Sequence, residues 1–235
     1  MAPSISSTRA ITIHAPADEA WKWLVQLGAD RGGFYSYTFL EHLTGYDTDN
    51  SIMIEPEFQE MKVGRTVPTS RSDSKLNFRV VSVDPGKSFV LEGWGPFVLK
   101  PINPETTRLI IRTHGWKIKS ISNFIFYIIM EPLHYIMEKR MLIGLKAQAE
   151  AGEGVRLSVI PDIIWFAGVF LSFIGIVLLI FMGGSIRSAV LSVFFGIIWL
   201  WPLLLFDPRR VYSLILLILI IGTIIWFQLK KSHQG

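Results

Sequence analysis

The chain has 235 residues, half of them hydrophobic and 18% charged, with a mean hydropathy of +0.41, a balance that excludes both a disordered chain and a wholly soluble one. The charge is unevenly placed: residues 1–158 hold 18 Lys and Arg against 17 Asp and Glu (net +1), and residues 159–235 hold 5 against 2 (net +3). Nearly neutral in front and scattered between apolar runs behind, the net +4 excludes a nucleic-acid partner.

The absence of cysteine removes disulfides, thiolate catalysis and Cys-based metal sites. The first nineteen residues, MAPSISSTRAITIHAPADE, contain no apolar core of the length a secretory signal needs, so the front domain is expected in the cytoplasm. A first strand is expected over Arg9–His14, where RAITIH alternates. Ala15-Pro16-Ala17-Asp18-Glu19 then opens a helix to about Leu27, with proline in the first turn, acids near the positive end and a stripe of Trp21, Leu24, Val25 and Gly28. The break GADRGG leads to FYSYTFLEHL, a short second helix ending at Gly45.

Strand-like runs at 78–84, 88–94, 97–102 and 108–116 are separated by the turn sequences DPGK and NPET, which predicts an antiparallel meander. A long helix follows from about Asn123 towards Glu150, with Pro132 as a kink or as its true start. The expected class is α+β, a curved antiparallel sheet wrapped on a long C-terminal helix, over residues 1–158. Residues 159–235 are expected to form an anchor of three membrane helices at about 163–182, 189–206 and 211–229, runs of 20, 18 and 19 residues. Roughly 20 apolar residues at about 1.5 Å each cross a hydrocarbon core about 30 Å thick. Lys139, Arg140, Lys146, Arg156, Arg209 and Arg210 fall on one side of such a trio, which places the front domain in the cytoplasm and the C-terminus outside. The helix interiors hold no ionisable residue, which speaks for an anchor and against an ion or proton path.

The segments WKWLVQLGADRGGFYSYTFLEHLTG, EPEFQEMKVG and EPLHYIMEKRMLIGLKAQAE resemble the START-like superfamily known as SRPBCC, the polyketide cyclase/dehydrase-like helix-grip proteins, over roughly residues 8–152. Within it they resemble an uncharacterised bacterial subfamily, here fused to C-terminal transmembrane helices. The resemblance implies a hydrophobic cavity between sheet and long helix, opened or closed by the loops near residues 28–37.

Candidate ligand residues are the aromatics Trp23, Phe34, Tyr35, Tyr37, Trp94 and Trp116, the helix residues Met137 and Met141, and Arg31 beside two glycines, whose guanidinium suits a carboxylate, phosphate or phenolate at the cavity mouth. The same rings also suit a packed core, and Arg31 a solvated side chain. Weaker candidates for acid or base catalysis are Tyr35, His114 and Glu131; Glu131 before Pro132 equally suits a helix start. The histidines are scattered singly, and Asp47, Asp49 and Ser51 lack the glycine and final acid of a calcium loop, so no metal is expected. GADRGG has neither the dinucleotide nor the Walker spacing, and no cofactor is expected. The expected function is membrane-tethered binding of a hydrophobic or amphipathic small molecule or lipid. A cyclase-like enzyme on a hydrophobic substrate and a non-catalytic interaction module are the alternatives.

Overall fold

The computed structural model describes residues 6–43, 45–72, 76–114, 120–156, 158, 160–183, 186–204 and 211–232. The chain divides into two compact units, 1–157 and 158–235.

In the front unit, strand β1 (Ser6–Ile13) is followed by helices α1 (Ala17–Val25) and α2 (Thr38–Leu43), then by β2 (Thr66–Pro68), β3 (Asn77–Asp84), β4 (Ser88–Leu91), β5 (Gly95–Asn103) and β6 (Thr106–His114), and last by the long helix α3 (Ile121–Ala151). The six strands form one antiparallel sheet in the order β1-β6-β5-β4-β3-β2. Helix α3 packs against β1 and α1, and α1 against β5 and β6. The unit is therefore α+β, with the helix-grip arrangement.

The alternation of the strands builds the core. Arg9, Ile11 and Ile13 of β1 lie opposite Ile111, Leu109 and Thr107 of β6, all on the inner face. Ile13, Phe89, Leu91, Phe97, Leu109 and Ile111 from the sheet are almost fully buried, as are Trp23 and Leu24 from α1 and Met141, Leu142 and Leu145 from α3. Each such side chain contributes roughly 1.5–3 kcal/mol by leaving water.

Several local expectations are corrected. The buried aromatic of α1 is Trp23, whereas Trp21 is half-buried against the edge of Phe89. Trp94 lies in the turn between β4 and β5 rather than on a strand, because Gly93 and Gly95 on either side take φ of 84° and 136° and end the ladder there. Helix α3 runs unbroken through Pro132 from Ile121, so that proline neither starts nor ends it. The short strand β2 was not legible in the sequence; its Pro68 fits the edge of the sheet, where no partner needs the missing N–H.

The back unit contains α4 (Ile160–Gly183), α5 (Ile186–Leu204) and α6 (Val211–Ser232), with α4 packed on both of the others. Small residues bring the helices close: a Cβ on Gly168 would fall 2.6 Å from Ser213 Oγ, and one on Gly175 2.5 Å from Ile220. The Trp199 indole N–H donates to the Val169 carbonyl at 2.8 Å. Outward side chains such as Phe170, Phe181 and Ile218 are exposed and apolar.

Two helices are long and apolar enough to cross a membrane, over Ile160–Phe181 and Val211–Leu229. The expected third is not of that kind among the described residues. Within them its apolar stretch is Ile186–Leu200, about 22 Å at 1.5 Å per residue.

Candidate functional site

The aromatic and arginine residues singled out in the sequence fall into two groups with different surroundings. The first group is built around the loop 28–37. Gly28 and Gly33 exchange backbone hydrogen bonds of 3.1 and 2.9 Å, closing the GADRGG turn with φ of 133° and 80°. Tyr35 then adopts φ 55°, a costly conformation for a tyrosine, held because its N–H donates to Asn50 Oδ1 at 2.6 Å.

Its ring stands edge-on to Trp23 with centroids 6.0 Å apart. Its hydroxyl accepts from the fully buried Gln26 at 2.7 Å. Gln26 is the hub of this region: its Nε2 also donates to the Met53 carbonyl at 3.0 Å, and its Oε1 accepts from Glu55 N–H at 3.2 Å and Gln59 Nε2 at 3.3 Å. Burial pushes the Tyr35 hydroxyl well above its ordinary pKa, so the ring is a neutral structural post.

Arg31 is also buried, and its guanidinium points into the 56–61 segment. It donates to the carbonyls of Phe58 and of Glu60, the latter at 3.3 Å, and lies 5.2 Å from the centre of the Phe58 ring. Desolvation lowers it to about 10, which still leaves it cationic at neutral pH. It clamps this segment onto the loop. Tyr37 is nearby in sequence but separate in role, with the Arg140 guanidinium 5.6 Å over its ring.

The second group sits where the sheet meets α3. Trp94 is packed by Phe78 at 4.9 Å, Phe97 at 5.4 Å and Phe34 at 6.1 Å, with the His134 imidazole edge-on at 5.7 Å. Trp94 is 8% exposed, and its indole N–H has no acceptor among the described residues. Such an orphaned buried donor costs about 1–3 kcal/mol.

One turn further along α3, the fully buried Glu138 pairs with Arg9 from β1 and accepts from the Thr113 hydroxyl of β6 at 2.9 and 3.0 Å; its carboxylate is 3.8 Å from His134 Nδ1. Sequence reasoning missed both His134 and Glu138. The signal was their i, i+4 spacing, which puts them on one helix face. Met137 joins α3 to the loop, its carbonyl accepting from Ser36 Oγ at 3.1 Å, and Met141 is core. Trp116 and the side chains of His114 and Glu131 lie outside the described residues. Among the described residues no group of three or more His, Asp or Glu side chains is placed to hold a metal ion.

Two titrations oppose each other in this unit. Burial, with the Arg9 charge second, pushes His134 down to about 4, while burial pushes Glu41 up to about 7. For His134 the unfolded chain binds the extra proton, so this contribution is present above about 6.5 and is lost as the pH falls towards 4. For Glu41 the folded chain holds the extra proton, so its contribution is present below about 4.5 and is lost as the pH rises through 7. Because the His134 side chain is 35% exposed, solvent moderates its share. Urea midpoints measured at pH 5 and pH 7.5 are expected to differ more in Glu41→Gln than in the wild type, with the variant losing more stability on acidification. Equal differences in the two proteins would contradict the assignment of Glu41.

No family model matches the sequence, and no curated protein matches it. Loose likenesses exist among solved structures. A Mesorhizobium loti protein is 15% identical with a TM-score of 0.36, over 63% of this chain and 99% of its own. The Aha1 dimer from Colwellia psychrerythraea is 16% identical with a TM-score of 0.37, over 64% and 99%. A polyketide-cyclase-like protein from Corynebacterium glutamicum is 14% identical with a TM-score of 0.30, over 62% and 90%.

Proposed function

We propose that the front unit binds a hydrophobic or amphipathic small molecule against the Trp94 cluster, between the sheet and α3, and that the back unit tethers it to a bilayer. The observation that supports the first half is the Trp94 indole N–H. It is buried among Phe34, Phe78 and Phe97, lacks an acceptor among the described residues, and is bordered by an imidazole that still reaches solvent. Apolar rings supply contact area, and one placed donor supplies orientation, which is how small-molecule sites are usually made. The Tyr35 and Arg31 group, whose polar atoms are largely taken up by Gln26 and by the 56–61 backbone, serves instead to fix the wall that carries Phe34.

The test is displacement of an environment-sensitive anilinonaphthalene dye from the full chain in lipid nanodiscs, with the signal of empty nanodiscs subtracted. Phe34→Ala and Trp94→Ala are expected to weaken dye binding about 10- to 100-fold, the scale of one lost aromatic contact. Affinities within twofold of wild type for both would remove the site.

For the tether, we infer three crossings with the front unit in the cytoplasm and the C-terminus outside, supported for α4 and α6 by their apolar lengths, for α5 by the uncharged sequence run 189–206, part of which lies outside the described residues, and for the orientation by the distribution of Lys and Arg. A cysteine in place of the exposed Asn103 is expected to react with an impermeant thiol reagent only after lysis, and one in place of Ser232 in intact cells. If α5 does not cross, both ends lie on one side and Ser232→Cys behaves as Asn103→Cys does. Labelling of Asn103→Cys in intact cells would reverse the orientation.

A further inference from the structure

Resting on the reading of the Trp94 cluster as a ligand site, we propose that the ligand carries a hydroxyl group, whose oxygen accepts the Trp94 indole N–H and whose proton is donated to Nε2 of His134. The two protein groups are complementary halves of such a site. Trp94 offers a donor and no acceptor, and the donor is without a partner among the described residues.

The His134 ring presents Nδ1 to the Glu138 carboxylate at 3.8 Å. The field of that carboxylate favours the tautomer with its proton on Nδ1, which leaves the lone pair on Nε2. Burial and the Arg9 charge keep the imidazole neutral at pH 7, so this lone pair is available. The Trp94 and His134 rings are direct neighbours, edge to face with centroids 5.7 Å apart, so the two groups belong to one patch and can address one ligand.

The surroundings argue against other polar groups. Arg9, the cation whose charge is felt at His134, is already engaged by Glu138 and lies over the Tyr135 ring at 4.7 Å, which disfavours a carboxylate placed at Trp94. An ether or ketone satisfies Trp94 and gives His134 nothing to accept. The remaining walls, Phe34, Phe78 and Phe97, ask for an apolar body. An aromatic or aliphatic alcohol meets all of these conditions.

The experiment compares 2-naphthol, 2-methoxynaphthalene and 2-naphthoate on the full chain in nanodiscs, each corrected for its partition into empty nanodiscs. Alongside, the indole N–H resonance of Trp94 is followed in protein labelled with nitrogen-15 tryptophan and identified by its loss in Trp94→Phe. 2-Naphthol is expected to bind at least tenfold tighter than its methyl ether and tighter than the carboxylate, and to move the Trp94 indole proton downfield. Trp94→Phe and His134→Phe, which keep a ring in place, should bring the alcohol and ether within twofold, and His134→Gln should restore part of the preference. Equal binding of alcohol and ether to the wild type, without a shift of the indole proton, overturns the hydroxyl assignment and leaves the apolar site standing. Tightest binding by 2-naphthoate overturns it in favour of an anion. Binding of none of the three overturns both the assignment and the site.

Discussion

Gly144→Ala is expected to destabilise the front unit by about 3 kcal/mol, at the upper end of what overpacking a close contact costs. A Cβ at this position on α3 would fall on the Tyr35 carbonyl oxygen, well inside contact distance, and 2.8 Å from the Tyr35 Cβ. Neither side can yield cheaply. Residue 144 lies about two turns before the end of α3, where the helix is core through Met141, Leu142 and Leu145. Tyr35 is fixed in its left-handed conformation by Asn50 at its N–H, Gln26 at its hydroxyl and Trp23 against its ring. The methyl group must push apart the helix and the loop that carries Phe34, so ligand affinity should fall together with stability. Thermal unfolding followed by proteolysis of the full chain is the measurement, with a drop of roughly 10 °C expected at about 2–4 °C per kcal/mol for a chain of this length. A change of less than about 2 °C would contradict the close seating of α3 on the loop.

Breaking the pair of Arg9 and Glu138 is the second large effect. The Arg9 side chain is 9% exposed and that of Glu138 is sealed. Glu138→Leu or Arg9→Met alone removes one partner of a buried ion pair, which costs about 3–5 kcal/mol. The double variant removes both charges and is expected to recover most of that loss, since well-packed apolar replacements of a buried pair are often neutral. A double-mutant cycle on unfolding in urea measures the coupling. Losses that simply add would show that the two side chains do not depend on each other. The pair also orients the neighbouring imidazole, so both single variants should blunt the preference for a hydroxyl that His134 confers.

How much of this was legible in the sequence depends on the range of the contact involved. The alternation of β1 set its inward face, because Ile11 and Ile13 need no knowledge of their partner to be assigned to a core. The same alternation puts Arg9 on that face, but the meaning of a charge there emerges only when the sheet register and α3 bring Glu138 to it. The glycines flanking Trp94 marked a break in the strand, yet the run of β-prone residues on each side hid it. Arg31, set beside glycines, read as the holder of an anionic group or as a solvated side chain; its partners are backbone carbonyls 27 and 29 residues away, which leave no side-chain signature. Gln26, a single amide just past the end of α1, gave no warning of being a hub. In the back unit the lengths of the apolar runs were plain, whereas the close approaches at Gly168 and Gly175 that seat α4 on α6 were not.

The central claim, a small-molecule site between the sheet and α3, is tested most directly by photolabelling. The full chain in nanodiscs is irradiated with an apolar aryl diazirine in the presence and absence of excess non-photoreactive analogue, and the adducts are mapped by mass spectrometry. The long apolar helices α4 and α6 are expected to be labelled without saturation, as any lipid-facing surface would be. Peptides containing Phe34, Trp94 and His134 are expected to carry adducts that the competitor removes, and to lose them in Trp94→Ala. Competitor-sensitive adducts confined to other peptides, or none in residues 1–157, would contradict the site.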